Sequence, residues 1–206
     1  MKKINATHFE DIPTFPDGAD DFVVHAIIET PRDIRHKYAL EPKYGIFKLK
    51  QTIADGLQWP YDYGFIPRTL AEDGDPLDIV FLCEAPTFSG CLVEARVLGI
   101  IRLEKNGVSN DRVVACPLQQ VGFAQSSDQF EPINDSPKES MHSLCRFLVE
   151  YSAVEGNEIK FIGVQPRKKA MASIDDKMKA FRKGRNRSSM PGMRERRRLS
   201  PPLSLT

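Results

Sequence analysis

Between residues 22 and 116 the chain carries one strand-like segment after another, with no helical period among them. Phe22 to Ile28 is a β-rich apolar run that ends at Glu29-Thr30-Pro31. Arg32 to Tyr38 has mixed charge and reads as a loop running into a strand. Gly45 to Lys50 alternates apolar and polar residues, the period of a half-exposed strand. Trp59 to Pro67 is aromatic and extended, and its two prolines exclude a helix throughout. Leu77 to Cys83 and Gly90 to Leu103 read as buried strands, and Arg112 to Cys116 returns after an Asn106-Gly107 hairpin signal. Strands in such succession cannot form an α/β fold with crossover helices. Five or six such strands predict a small antiparallel barrel of the α+β class.

Helix enters late. Ser136-Pro137 offers an N-cap and N1 proline with Glu139 at N3, and Met141, Leu144, Cys145, Leu148 and Tyr151 recur at helical spacing. Asn157 to Val164 reads as a last strand, and Ala170 to Lys183 as a second flanking helix. The expected organisation is an N-terminal arm over 1–21, one domain over 22–183, and a basic, disordered tail over 184–206.

Charge divides along the chain. Of 29 Lys/Arg and 28 Asp/Glu, residues 167–206 hold 13 and 3, which leaves 16 and 25 in residues 1–166. An acidic body suits cations better than nucleic acid, and the terminal arginines have no interleaved aromatic residues for stacking bases. Cys83, Cys91, Cys116 and Cys145 form no CxxC pair and read as free thiols. No apolar run reaches the ~18 residues of a membrane span, and Met1-Lys2-Lys3-Ile4-Asn5 lacks a signal-peptide core, so a cytoplasmic location is expected.

The stretch Asp73-Gly74-Asp75-Pro76-Leu77-Asp78 puts three carboxylates within six residues at the entrance to a buried strand. Crowded like charges raise one another's pKa. Two readings fit the residues: an Asp-Gly turn into a strand, or carboxylates gathered around a hard cation such as Mg²⁺. An EF-hand is excluded, because Leu77 and Asp78 stand where that loop needs an acid and a glycine.

This stretch resembles the signature of the soluble, family I inorganic pyrophosphatases. Glu29, Lys37-Tyr38, Pro60 to Pro67, Thr69-Leu70 and Gly90 followed by Leu92 to Arg96 fall in that family's order, over about residues 22–164. The resemblance implies a five-stranded, OB-like β-barrel with flanking helices, a homo-oligomer with a hexamer favoured, and Mg²⁺-dependent hydrolysis of pyrophosphate. It implies Asp75 as the general base and Asp73 and Asp78 as metal ligands, with Glu29 at the edge of the metal site. Lys37, Tyr63, Arg112 and Tyr151 match phosphate-binding groups, Arg112 standing where the family commonly has lysine. The chain also departs from the pattern. Two metal-binding aspartates of the family's hairpin fall at Lys105 and Asn110, with acids one residue away at Glu104 and Asp111. A one-residue step on a strand turns a side chain to the other face, so Asp111 joins the metal ligands only through a bulge or a shifted register. A family arginine falls at Gln51, a glutamate at Ala39 and a lysine at Ser152. These departures keep two other readings in play: a degenerate relative that binds phosphate or metal without fast turnover, and an OB-like nucleic-acid-binding module with a basic tail.

Overall fold

A computed structural model describes residues 9–83, 85–118, 137–154 and 156–188. Its strands are β1 (Val23–Thr30), β2 (His36–Glu41), β3 (Ile46–Thr52), β4 (Asp62–Phe65), β5 (Asp78–Phe81), β6 (Leu92–Lys105), β7 (Val108–Ser109), β8 (Arg112–Pro117) and β9 (Ile159–Pro166). Its helices are α1 (Pro137–Val154) and α2 (Arg167–Ser188). Strands β1, β4, β5, β8 and β6 pair in that order, and β6 pairs back to β1, so five strands close into a barrel. The expected OB-like barrel with two late helices is therefore present. It is mixed rather than wholly antiparallel, because β5 and β8 run parallel. Local periodicity predicts strands but says nothing about the direction of a partner far away in the chain.

The barrel closes around residues that the apolar runs supply. Ile28, Ile66, Ile79, Val97, Ile100 and Val113 are among the fully enclosed side chains of the core. Closure is tight at one place. A Cβ on Gly64 would lie 2.0 Å from the carbonyl oxygen of Ile27, so β1 and β4 can approach only over a glycine. Helix α2 lays Ala170 and Ile174 into the core, and α1 buries Leu144 and Leu148 in a second cluster with Val80, Leu98 and Val114.

From Phe9 on, the described chain ahead of β1 packs against the barrel. Phe9 packs edge-on against Phe47 and Phe65, and Thr14 donates to the Pro67 carbonyl at 2.8 Å. Helix α2 runs on to Ser188, past Gly184, which would be a plausible stop signal; instead that glycine sits against Leu70. The proposed tail beyond 188 and the N-cap at Ser136 lie outside the described residues. All four cysteines are free, and burial pushes the Cys83 thiol up to about 11.

Candidate active site

One cavity of about 1150 Å³ opens at the barrel end where β1, β4, β5 and β8 meet the β2–β3 hairpin and α1. Glu29, Lys37, Tyr63, Asp73, Asp75, Asp78, Arg112 and Tyr151 all line it; Glu104 and Asp111 do not.

The carboxylate wall comes from the turn before β5. Gly74 takes a φ of +92°, which side-chain-bearing residues rarely adopt, and the turn closes with Gly74 N–H to the Ala71 carbonyl. The Asp75 N–H donates to Asp73 Oδ1 at 3.2 Å, an Asx-type contact that holds the two aspartates side by side. Among the described residues the Asp75 carboxylate accepts no hydrogen bond, so its lone pairs are open to the cavity. Asp78 follows as the first residue of β5. Its carboxyl is raised chiefly by burial and further by Asp73 and Asp75, against the pull of Arg112.

Glu29 arrives from β1. The pairing of β1 with β4 shifts register between Ile28 and Thr30, and a bulge of this kind re-aims the side chain between them. Glu29 Oε1 accepts from Leu40 N–H at 2.8 Å. Its carboxyl is pushed up to about 7, first by burial, with Asp78 and Asp75 adding to the shift and Leu40 N–H and Lys37 opposing it.

The cationic wall is built by register. In the parallel pair, Asp78 stands beside Arg112, and their side chains form an ion pair at 2.7 Å. In the β2–β3 hairpin, Lys37 stands opposite Gln51. Lys37 Nζ and Gln51 Nε2 each donate to the Tyr151 hydroxyl at 3.0 Å. Lys37 also lies over the rings of Tyr151 and Trp59, at 5.2 and 6.0 Å from their centroids. Trp59, Phe147 and Tyr151 form an aromatic support under this corner. The Tyr63 hydroxyl is buried without a hydrogen-bond partner, and burial raises its pKa against the pull of Arg112. A buried orphan hydroxyl costs about 1–3 kcal/mol, and an incoming phosphate oxygen would relieve it.

The hairpin resolves where the departures from the family pattern lie. Asn106 and Gly107, with φ of +50° and +81°, make a two-residue turn, and Lys105 pairs with Val108. The same register continues into β8, with Ile101 opposite Arg112. No bulge intervenes, so Lys105, Asn110 and Arg112 face the cavity, and Glu104 and Asp111 do not line it. Asp111 is buried on the other side, where it pairs with Arg102 at 2.8 Å and accepts from Leu103 N–H. The structure thus does not bring Asp111 to the other carboxylates. Sequence reasoning gave no role to Asp62. It is fully buried and holds the chain behind the site, accepting from Arg32 N–H at 2.7 Å and from the Thr87 hydroxyl at 2.6 Å.

The donor set of Asp73, Asp75, Asp78 and Glu29 is all carboxylate oxygen, which fits a hard divalent cation. Among the described residues no three such groups are already gathered at one ligating point. Asp78 is held by Arg112 and Asp73 by Asn110 instead. A cation would therefore compete with these contacts for the same oxygens.

A wall of carboxylates facing Lys, Arg and Tyr across one cavity suits a small polyanion carried with cations. The family model for inorganic pyrophosphatase matches residues 26–182. The chain belongs to the inorganic pyrophosphatase family. It is 32% identical over 162 residues to the inorganic pyrophosphatase of Halalkalibacterium halodurans, covering 79% of this chain and 96% of the relative. It is 36% identical over 155 residues to that of Thermus thermophilus, covering 74% and 86%. The crystal structure of an inorganic pyrophosphatase from Thermus thermophilus superposes with a TM-score of 0.75 at 31% identity, over 85% of this chain and 99% of that one. In this pyrophosphatase-family barrel one cavity gathers the Asp73–Asp78 turn with Lys37, Arg112, Tyr63 and Tyr151, and Lys105, Asn110 and Gln51 line it beside them. No helix among the described residues is long and apolar enough to cross a membrane.

Proposed function

We propose that this chain hydrolyses inorganic pyrophosphate to two phosphates, with Mg²⁺ as its metal. The observation that carries this reading is the facing of Asp73, Asp75 and Asp78 by Lys37, Arg112, Tyr63 and Tyr151 across one cavity, in a chain of the pyrophosphatase family. Asp73 and Asp78, with Glu29 at the edge, are the residues that would hold the metal. Bound Mg²⁺ supplies neutralisation of the substrate's oxygens and makes water more acidic. Asp75, its carboxylate open, takes the proton of the attacking water. As the water oxygen bonds to one phosphorus, the bridging P–O bond breaks and the second phosphate leaves. Arg112 and Lys37 meet the charge on phosphate oxygens, and the Tyr63 and Tyr151 hydroxyls hold them in orientation.

Phosphate release from pyrophosphate is expected with Mg²⁺ and not with chelator. Asp75→Asn is expected to lower kcat by ~10²–10⁴-fold with the melting curve retained; unchanged turnover removes Asp75 from the base role. Lys105 and Asn110 at the cavity favour a second reading, a relative that binds phosphate and cation but turns over slowly. Calorimetric binding of phosphate without release from pyrophosphate would select it. We further propose a cytoplasmic homo-oligomer, with a hexamer favoured on the family resemblance.

A further inference from the structure

Asn110 lines the cavity at 8% exposure, and both ends of its side-chain amide are engaged with residues of the site. Nδ2 donates to Asp73 Oδ2 at 2.9 Å. Oδ1 accepts from Arg112 Nη2 at 2.7 Å. The Asn110 carbonyl accepts Arg112 Nη1 at 2.8 Å, and the Asn110 N–H is anchored on the Leu103 carbonyl at 2.8 Å. Arg112 Nη1 also stands 2.7 Å from Asp78 Oδ2. One amide therefore joins the acidic turn before β5 to the guanidinium of β8. The chemistry of the position is narrow. An amide both donates and accepts, whereas a carboxylate would accept from Arg112 but oppose Asp73, and an aliphatic side chain would hold neither.

We propose that Asn110 is a positioning residue for pyrophosphate hydrolysis, an inference that rests on the function proposed above. It fixes Asp73 on the cation side of the cavity and Arg112 on the phosphate side, a second link between the halves beside the direct Arg112–Asp78 pair. Because its two bonds serve different halves, two substitutions separate them. Asn110→Ala removes both side-chain bonds and leaves Arg112 its contacts with the backbone carbonyl and Asp78. Asn110→Asp keeps the acceptor for Arg112 and replaces the donor to Asp73 with a negative charge, which draws a divalent cation between the two carboxylates.

The test uses the full chain and both variants, each checked by its melting curve. Mn²⁺ binding is titrated by electron paramagnetic resonance without substrate, and KM for pyrophosphate is measured with Mg²⁺. For Asn110→Ala, KM rises about tenfold, the factor that loss of one bond to a charged group gives. For Asn110→Asp, KM stays within about threefold while Mn²⁺ binds about tenfold more tightly, the factor expected of one added neighbouring charge. A residue that only supports the fold would move KM and Mn²⁺ affinity in one direction in both variants, in step with melting temperature, and that result overturns the proposal. So does an active wild type whose variants match it in both measurements. A wild type that neither binds Mn²⁺ nor releases phosphate overturns the pyrophosphatase reading, and this inference with it.

Discussion

At the scale of single residues, burial holds three groups of the site, Glu29, Asp78 and Tyr63, away from their ordinary states in water. Glu29 is the plainest case, with a carboxyl near 7 in place of 4.5 because burial disfavours its charge. Its folded pKa lies above its unfolded one. Its contribution to stability is therefore complete below about pH 4.5 and is lost as pH rises through 7. Glu29→Gln keeps an oxygen for Leu40 N–H and carries no charge to bury. In chelator, the variant is expected to be more stable than wild type above pH 7, by up to about 3 kcal/mol. The gap should close as pH falls toward 4.5, which urea titrations at pH 5 and pH 8 would measure. A constant gap across that range would mean that Glu29 does not titrate there. Residue types alone made most of this site legible, since carboxylates, lysine, arginine and tyrosine in family order identified its lining. Which acid of the hairpin faces inward was not legible. Asp111 and Asn110 are neighbours, and only an unbroken register sends the amide to the cavity and the acid to Arg102.

At the scale of elements, alternation and apolar runs located the strands, and the Asn106-Gly107 pair located a turn that has positive φ at both positions. The limits of that reading are physical. The β1 bulge at Glu29 arises from fitting β1 to β4, and the parallel pairing of β5 with β8 joins segments distant in sequence; neither leaves a local trace. Helix α2 outruns its sequence limit, continuing through Gly184 to Ser188. Gly64 is the most exacting position of the barrel, the one glycine among the described residues where a Cβ would fall within 3.0 Å of another atom. Gly64→Ala forces a methyl group against the Ile27 carbonyl, and β1 must separate from β4 to admit it. Equilibrium denaturation is expected to report a loss of about 3 kcal/mol or more, in the upper range for overpacked positions. A loss below about 1 kcal/mol would mean that the strand pair is more yielding than this spacing implies.

At the scale of the whole molecule, β9 lies outside the closed ring of five strands and presents an open edge. Among the described residues it pairs with β6 alone, and its Phe161 and Ile162 are 47% and 58% exposed. An uncovered strand edge with adjacent apolar side chains is a liability for a monomer. Light scattering is accordingly expected to return a multiple of 23.3 kDa, and Ile162→Asp to lower it; a wild-type mass of 23.3 kDa would overturn the proposed self-association. The parallel contact of Asp78 with Arg112 bears on the order of events during folding. These residues become neighbours only after β6 has crossed the sheet and β8 has returned beside β5, so the site rests on contacts of long sequence separation. Such contacts carry a loop-closure entropy that a local turn does not. A chain in which β8 has not yet reached β5 would therefore hold its acidic turn and its guanidinium apart, and would have the residues for hydrolysis without the site.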